Sequence, residues 1–180
     1  MIDETRIIAQ LKDESQKEHA FSTLVHEYQE VLYWQIRRLV LTHEDADDVL
    51  QNTFLKAWMA LDEFRAESKI STWLFRIAIN ESLSLLEKKK RNTDIISDPD
   101  EFLASQLLAD PYFDGDETQI LLQEAIAQLP EKQRAVFNLK YFQEMKYEDM
   151  SQILGTSIGA LKASYHHAVK KITDFFQKND

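Results

Sequence analysis

Apolar residues in this chain recur at spacings of three and four in two separate blocks, and this helical period constrains the fold more than any other feature. The first block carries a stripe that comprises Phe21, Leu24, Val25, Tyr28, Val31 and Leu32. The second block opens with Ile120, Leu121, Ala125, Ile126 and Leu129. The chain has only three Gly and three Pro in 180 residues, which argues against a loop-rich β protein. The pattern therefore predicts an all-α fold with two small helical domains.

An acidic segment, residues 92–117, separates the two blocks and carries eight of the chain's 31 acidic residues and none of its basic ones. Pro99 and Pro111 interrupt helices, and like charges repel one another. We predict a flexible acidic linker with at most a short helix around Phe102–Leu108. The predicted organisation is residues 1–91, the linker 92–117 and residues 118–180.

The sequence excludes Cys-based chemistry and contains none of the common catalytic motifs that we looked for. The chain has no Cys, which excludes disulfides, thiol catalysis and Cys-based zinc sites. It also has no Gly-rich phosphate loop, no nucleophile elbow and no HExxH. We expect no catalytic residue, cofactor or metal. The N-terminus is too charged for a signal peptide and no apolar run reaches about 20 residues, so we expect a cytoplasmic protein without membrane insertion.

The second block contains the pattern of a helix-turn-helix. Tyr147–Leu154 predicts a short helix, Gly155 a left-handed turn, and Ser157 a cap for the helix that begins at Ile158. The predicted buried stripe of that helix comprises Ile158, Leu161, Tyr165, Ala168 and Ile172. The predicted DNA-facing side comprises Ser157, Ala160, Lys162, Ala163, His166 and Lys170. Lys162 either reads guanine or contacts phosphate, and the sequence leaves both open.

A helix in the first block is expected to start after Thr42 as N-cap. Its predicted buried stripe comprises Leu50, Phe54, Ala57, Trp58 and Leu61. The opposite side carries Asp47, Asp48, Gln51 and Asn52. Polar residues in this arrangement ordinarily form a solvated helix face, so the residue pattern by itself indicates no partner.

The stretch that follows combines a loop with a helix suited to single-stranded DNA. Residues 64–71 lack helical spacing, and Ser71 or Thr72 is the expected cap. On the next helix Trp73, Arg76 and Asn80 share one face. An aromatic ring can stack on bases, Arg can pair with phosphate, and Asn can bond a base edge. The alternative is that Trp73 belongs to the core and Arg76 faces solvent. The basic cluster Lys88–Arg91 suits either a helix end or phosphate contact.

Three stretches resemble the extracytoplasmic-function (ECF) sigma factors, group IV of the housekeeping-type bacterial sigma family. DADDVLQNTFLKAW (Asp45–Trp58) is similar to their polymerase-binding region 2.2. FRAESKISTWLFRIAIN (Phe64–Asn80) is similar to the promoter-melting regions 2.3 and 2.4. Leu129–Ile172 resembles region 4, which reads the minus-thirty-five element. The motifs stand in the family's order along the chain.

The resemblance implies a promoter-reading protein that is not an enzyme. Asp47, Asp48, Gln51 and Asn52 would dock on the β′ coiled coil of core RNA polymerase, and region 4 would contact the β flap. A loop would capture a base flipped from the minus-ten element. Its expected lining comprises Phe64, Arg65, Ser68, Ile70 and Thr72, beside Trp73, Arg76 and Asn80. The resemblance also implies an anti-sigma factor as a partner.

Other interpretations remain open at the sequence level. A stand-alone helix-turn-helix regulator accounts for residues 118–176, normally as a dimer on two half-sites, but leaves the first block without a purpose. A purely structural helical adaptor is a further alternative. The linker is either a solvated tether or an acidic segment that enters the basic nucleic-acid channel of the polymerase.

Overall fold

The computed structural model describes residues 3–92 and 115–179, and every regular element within them is helical. The prediction of an all-α fold is confirmed. Most of the predicted linker, including the short helix expected at residues 102–108, lies outside the described residues. The α-helices are α1 Glu4–Leu11, α2 Lys17–Val40, α3 His43–Met59, α4 Ile70–Asn92, α5 Glu117–Ala127, α6 Glu131–Tyr141, α7 Tyr147–Leu154 and α8 Ile158–Asn179. A short 3₁₀ turn, Leu61–Glu63, follows α3.

Helix α1 was not among the predicted elements. Asp3 caps it by accepting a hydrogen bond from the backbone N–H of Arg6 at 3.2 Å. Ile7 and Leu11, four residues apart, are buried against the rest of the N-terminal unit, where α1 packs on α2. With only two buried anchors in a charged stretch, a helix this short depends on that packing rather than on its own propensity.

The N-terminal unit is a bundle in which α2 packs against α3 and α4. The buried stripe of α3 comprises Ala46, Val49, Thr53 and Ala57. Ala57 and, just beyond the helix, Leu61 are buried as predicted, but the other three predicted members are not. Leu50 and Phe54 lie at the margins of the stripe, and Trp58 is 36% exposed. Small residues at the contact let the helices approach closely, and the hydroxyl of Thr53 donates to the carbonyl of Val49 at 2.7 Å.

Two predicted caps in this unit have different outcomes. Thr42 is confirmed as the N-cap of α3, since its hydroxyl oxygen accepts a hydrogen bond from the backbone N–H of Asp45 at 3.3 Å. The prediction of Ser71 or Thr72 as cap of α4 was wrong, because α4 already begins at Ile70. The N–H of Ile70 donates instead to the carboxylate of Glu4, which comes from α1.

The C-terminal unit confirms the predicted helix-turn-helix with its predicted bounds. Helix α7 ends at Gly155, which adopts the left-handed conformation with φ of 63°. The hydroxyl oxygen of Ser157 accepts from the N–H of Ala160 at 3.3 Å and so caps α8. Pro130 separates α5 from α6 as predicted. The core of this unit comprises Ala125, Ile126, Leu129, Phe137, Ala168 and Ile172.

The two units are packed against each other, with α6 on α2 and α7 on α4. This arrangement places the helix-turn-helix beside the loop that follows α3. Within the described ranges, no helix is both long enough and apolar enough to span a membrane.

Candidate polymerase and nucleic-acid interface

The outer face of α3 is polar at its N-terminal end and apolar at its C-terminal end. Asp48, Gln51 and Asn52 are exposed, as the sequence pattern predicted, and Asp47 is partly exposed. One and two turns further along, Leu55 is 58% exposed and Met59 is 73% exposed. Exposed apolar residues next to a polar patch are typical of a protein-binding surface. Leu55 and Met59 could have been predicted from the sequence, because they follow Asn52 by three and seven positions and so lie on the same helix face.

Asp47 is oriented by a hydrogen-bonded chain. Nε2 of His43 lies 3.2 Å from a carboxylate oxygen of Asp47, and Nδ1 of His43 lies 2.7 Å from the hydroxyl of Tyr33. A neutral imidazole donates from one nitrogen and accepts at the other. With Tyr33 donating to Nδ1, the Nε2–H of His43 donates to Asp47. Tyr33 and Asp47, the two ends of this hydrogen-bonded series, border a pocket of about 360 Å³. The lining of the pocket comprises Gln29, Glu30, Tyr33, Trp34, Asp47 and Leu50.

A second pocket, of about 440 Å³, lies between the loop after α3 and the start of α4. We call it the loop pocket. Its lining comprises Glu63, Phe64, Arg65, Glu67, Ser68, Trp73, Arg76 and Gln152. Five of the residues predicted to contact minus-ten DNA therefore meet around one cavity. Its volume falls within the range of sites that hold small ligands.

An aromatic pair seats the loop on α4. The ring centroids of Phe64 and Trp73 lie 4.9 Å apart with an interplanar angle of 40°. Both rings are partly buried and both line the loop pocket. The sequence left open whether Trp73 belongs to the core or faces a DNA-binding surface. In the structure one edge of the ring packs in the protein and another faces the loop pocket. Ala66 at the loop tip adopts φ of 57°, a left-handed conformation that sharpens the turn.

Three predicted minus-ten residues do not line the loop pocket. Ile70 is 1% exposed and Thr72 is 5% exposed, so both side chains belong to the core of the N-terminal unit. Asn80 is exposed on α4, one turn beyond the exposed Arg76, and extends the polar surface away from the cavity. DNA contact by these three residues stays a prediction.

The predicted DNA-facing side of α8 is exposed along its length. The exposed residues include Ser157, Ala160, Lys162, Ala163, His166 and Lys170. The buried residues Leu161, Ala168 and Ile172 hold the opposite side against the other helices. The ammonium group of Lys162 lies 5.7 Å from the ring centroid of Tyr147, a residue of α7. Lys162 therefore lies on the side of α8 that is next to α7, the first helix of the helix-turn-helix.

The basic cluster at the end of α4 is engaged in surface ion pairs. Lys89 pairs with Asp45, and Arg91 pairs with Glu87. Lys90 pairs with Glu131 of the C-terminal unit at 2.9 Å. An exposed ion pair such as Arg91–Glu87 contributes little to stability, about 1 kcal/mol at most. The carboxylates of Asp45 and Glu131 are more enclosed, with side chains 15% and 22% exposed.

Two models of known families match this chain. Residues 24–92 match the one described as Sigma-70 region 2, and residues 119–172 match the one described as Sigma-70, region 4. The first match covers α3, the loop after it and α4. The second covers the helix-turn-helix, including Gln152 of the loop pocket. The outer face of α3 and the exposed side of α8 thus fall in separate, recognised modules.

Curated relatives match most of the chain. It is 30% identical to the ECF RNA polymerase sigma factor SigW of Bacillus subtilis, over 82% of this chain and 83% of the relative. It is 32% identical to the RNA polymerase sigma-H factor of Pseudomonas aeruginosa, over 88% of this chain and 86% of the relative.

Solved structures share the fold. CnrH, in complex with the cytosolic domain of CnrY, aligns with a TM-score of 0.72 at 23% identity, over 98% of this chain and 99% of that chain. The sigma factor RpoE, in complex with the anti-sigma factor NepR from Bartonella quintana, aligns at 0.69 and 24% identity, over 87% of this chain and 96% of that chain. By its two matched modules and its curated relatives, this chain belongs to the ECF family of RNA polymerase sigma factors.

Proposed function

We propose that this protein binds core RNA polymerase, directs it to a set of promoters and assists promoter melting at initiation. The observation that carries the proposal is the presence of region 2 and region 4 modules in one chain. Each is a folded helical unit with its predicted contact surface largely exposed. Residues 93–118 between the two matches are too few for a further independent domain, which supports placement in group IV of the sigma family.

Core polymerase would dock on the outer face of α3. Asp47, Asp48, Gln51 and Asn52 offer carboxylates and amides that can set the register against basic groups of the β′ coiled coil. Leu55 and Met59 are the exposed apolar residues on the same helix. A polar rim beside an apolar centre is the usual anatomy of a specific interface. Region 4 would add a second contact, at the β flap.

The loop pocket would hold a base flipped out of the minus-ten element. Phe64 and Trp73 supply ring surface for stacking, and Arg65 and Arg76 supply positive charge for phosphates. An unpaired base has lost its stacking in the duplex, and a closely fitting pocket restores part of that free energy. Melting is assisted because the pocket binds only the open form of the DNA. Asn80 and the Lys88–Arg91 cluster would guide the strand along α4.

The exposed side of α8 would read the minus-thirty-five element in the major groove. Ala160 and Ala163 are small, so the backbone of the helix can come close to base edges. Lys162 and Lys170 provide charge toward phosphates. The net charge of the chain is −10, so DNA binding by the free protein is expected to be weak without the polymerase.

An anti-sigma factor is a proposed partner, supported by the structural neighbour RpoE, a sigma factor solved in complex with the anti-sigma factor NepR. The acidic linker is proposed to lie in the nucleic-acid channel of the polymerase, where its charge would favour a basic environment. A stand-alone regulator, the alternative from the sequence, is not favoured, because it leaves residues 24–92 without a role.

The test begins with co-elution of the purified protein and bacterial core RNA polymerase. We expect a stable complex, and transcription from genomic DNA fragments that depends on adding this protein. Polymerase without the protein, and polymerase with a housekeeping sigma factor, are the controls. Failure to associate with active core at low salt, together with footprinting by the protein alone, would favour the stand-alone regulator instead.

A further inference from the structure

One residue of the proposed docking face of α3 differs from its neighbours in how its side chain is held. The three polar neighbours of Asp47 on this face are exposed, whereas Asp47 is partly exposed and lies at the edge nearer to α2. Its carboxylate is the end of the hydrogen-bonded series that begins at Tyr33 and passes through His43. The orientation of Asp47 is therefore set by other side chains of the protein.

The inner end of the series is fixed by the core of the N-terminal unit. Tyr33 on α2 is 8% exposed, and its ring meets the ring of Trp34 edge-on with the centroids 5.3 Å apart. The hydroxyl of Tyr33 lies 2.7 Å from Nδ1 of His43, and the rings of these two residues also meet edge-on, at a centroid distance of 5.9 Å. A buried ring with such packing has little freedom, so the position of its hydroxyl is well defined.

The outer end of the series is half-exposed. The imidazole of His43 is 37% exposed, the side chain of Asp47 is 48% exposed, and Nε2 lies 3.2 Å from a carboxylate oxygen. The two residues are four apart on α3, the spacing at which side chains of one helix meet. Because both belong to the same helix, this second hydrogen bond does not join α2 to α3. Its effect is to limit the rotation of the Asp47 carboxylate.

The nearby carboxylate of Asp45 is held in a different way. It accepts a hydrogen bond from the hydroxyl of Thr42 at 2.7 Å and pairs with Lys89 of α4. Its side chain is only 15% exposed. The two carboxylates thus face different sides of α3, Asp45 toward α4 and Asp47 toward α2 and the docking face.

Packing of α2 on α3 does not depend on the hydrogen-bonded series. The two helices are in contact, and the core of the unit includes Leu32, Ile36, Ala46 and Val49, each at most 3% exposed. Burial of apolar side chains dominates the stability of such a helix pair, whereas a half-exposed hydrogen bond adds little. Interruption of the series is therefore expected to change the orientation of Asp47 more than the stability of the fold.

The surroundings of Asp47 suit contact with a basic group of a partner. Asp47 lines the pocket of about 360 Å³ between α2 and α3, and the exposed Glu30 lines it from α2. Two carboxylates around one cavity favour a guanidinium or an ammonium group. A carboxylate that is already fixed loses less conformational freedom on docking than one that must first be ordered.

We propose that Tyr33 and His43 are positioning residues for core polymerase binding: they hold the Asp47 carboxylate in the orientation that accepts a basic side chain of the polymerase. The polymerase contact rests on the proposed function, whereas the hydrogen-bonded series is a property of the free protein. Each can therefore be measured separately.

The series predicts which nitrogen of His43 carries the proton. Long-range ¹H–¹⁵N NMR spectra of the free protein distinguish the two neutral tautomers, and His43→Gln identifies the signals of this residue. At about pH 8, where a free imidazole is neutral, we expect the proton on Nε2. Tyr33→Phe removes the donor to Nδ1 and should shift the Nδ1 resonance. A proton on Nδ1 in the wild type, or an unchanged Nδ1 resonance in Tyr33→Phe, would overturn the series.

Affinity for core polymerase tests whether His43 acts through Asp47. His43→Ala should weaken binding by about fivefold, the effect of a side chain that must be ordered on docking. Asp47→Ala should weaken binding by about tenfold, and His43→Ala should have no further effect in that background. His43→Gln keeps an N–H donor and should recover part of the loss. His26→Ala, an exposed change on α2, is the matched control and should bind as the wild type does.

A merely structural role of His43 gives a different result. Positioning is contradicted if His43→Ala weakens binding by the same factor with and without Asp47→Ala, or does not weaken it at all. Thermal unfolding checks that the variants fold, and Tyr33→Phe, which keeps the ring, takes the place of His43→Ala in the same cycle if that variant does not.

Two further outcomes separate this role from the proposed function. Wild-type affinity of Asp47→Ala would show that Asp47 is not a contact, while the proposed function would stand. Failure of the wild-type protein to bind active core polymerase would contradict the proposed function, and the positioning role with it, whatever the tautomer of His43.

Discussion

The carboxylate of Glu4 accepts a hydrogen bond from the backbone N–H of Ile70, a residue 66 positions further along the chain. Ile70 is the first residue of α4, and the N–H groups of a first helical turn have no partner within the helix. A negative charge at that end also favours the helix dipole. Helix α1 therefore holds the start of the helix that carries Trp73 and Arg76.

Removal of this cap should loosen the start of α4. We expect Glu4→Ala to lower the free energy of unfolding by about 1 kcal/mol, as for loss of an N-cap, and to speed amide exchange at Ile70. Glu4→Gln keeps an acceptor and should recover part of the loss. Thr5→Ala, an exposed change on α1, is the control. Equal exchange at Ile70 in Glu4→Ala and the wild type would contradict the capping role.

Two glycines four residues apart should respond to alanine with opposite signs. Gly155 has φ of +63°, so Gly155→Ala should destabilise by about 1 kcal/mol through backbone strain, although a Cβ would meet no atom within 4 Å. Gly159 lies in the first turn of α8, also with open space, and Gly159→Ala should stabilise by up to about 1 kcal/mol. Thermal unfolding measures both. A stabilising Gly155→Ala would show that the turn relaxes to another conformation.

The polar and apolar parts of the α3 face should contribute separately to core binding. Asp48→Ala with Gln51→Ala, and Leu55→Ala with Met59→Ala, should leave the melting temperature unchanged because these side chains are exposed. Each pair should weaken affinity for core polymerase by about tenfold, the effect of roughly 1.4 kcal/mol. Glu44→Ala is the control. If both double variants bind core polymerase with wild-type affinity in a titration, the polymerase does not contact this face of α3.

Asn80 should matter for opening DNA and not for assembly. It is exposed on α4, so Asn80→Ala should leave stability and core affinity unchanged. Loss of a base-edge contact worth about 1–3 kcal/mol should reduce promoter melting by about tenfold, measured by permanganate reactivity of unpaired thymines. Ser84→Ala, an exposed change one turn further along, is the matched control. Promoter melting at the wild-type level by Asn80→Ala would show that Asn80 does not contact the DNA.

Lys162 should contact phosphate. Its ammonium lies near Tyr147 of α7, the helix expected to cross the DNA backbone. In the complex of this protein with core polymerase, Lys162→Ala should weaken binding to different minus-thirty-five sequences by the same factor. The slope of the logarithm of the binding constant against the logarithm of salt concentration should become shallower by about one unit. Altered preference at a single base pair, with the salt dependence intact, would instead indicate that Lys162 reads a base.

Local sequence signals predicted the helix-turn-helix and the cap of α3 correctly. Pro130, Gly155 and Ser157 each act on the backbone of their immediate neighbours, so their effect can be derived without knowing the fold. The stripe of α3 was misjudged because large apolar residues were taken as the core. Ala57 was predicted correctly, but Ala46 and Val49 were missed, because the buried side of α3 depends on close packing with helices distant in sequence.

Helical period and capping are short-range properties, so local patterns were enough to predict the helical class, the two helical blocks and the residue types that could meet DNA and polymerase. The packed fold was needed to show that Glu4 caps α4, that Arg134 caps α2 from the other unit, and that Gln152 lies with Ser68 at the loop pocket. These contacts join residues 66, 95 and 84 positions apart, and no local pattern encodes such pairs. They form because packing of the helices brings unsatisfied backbone groups and apolar faces together.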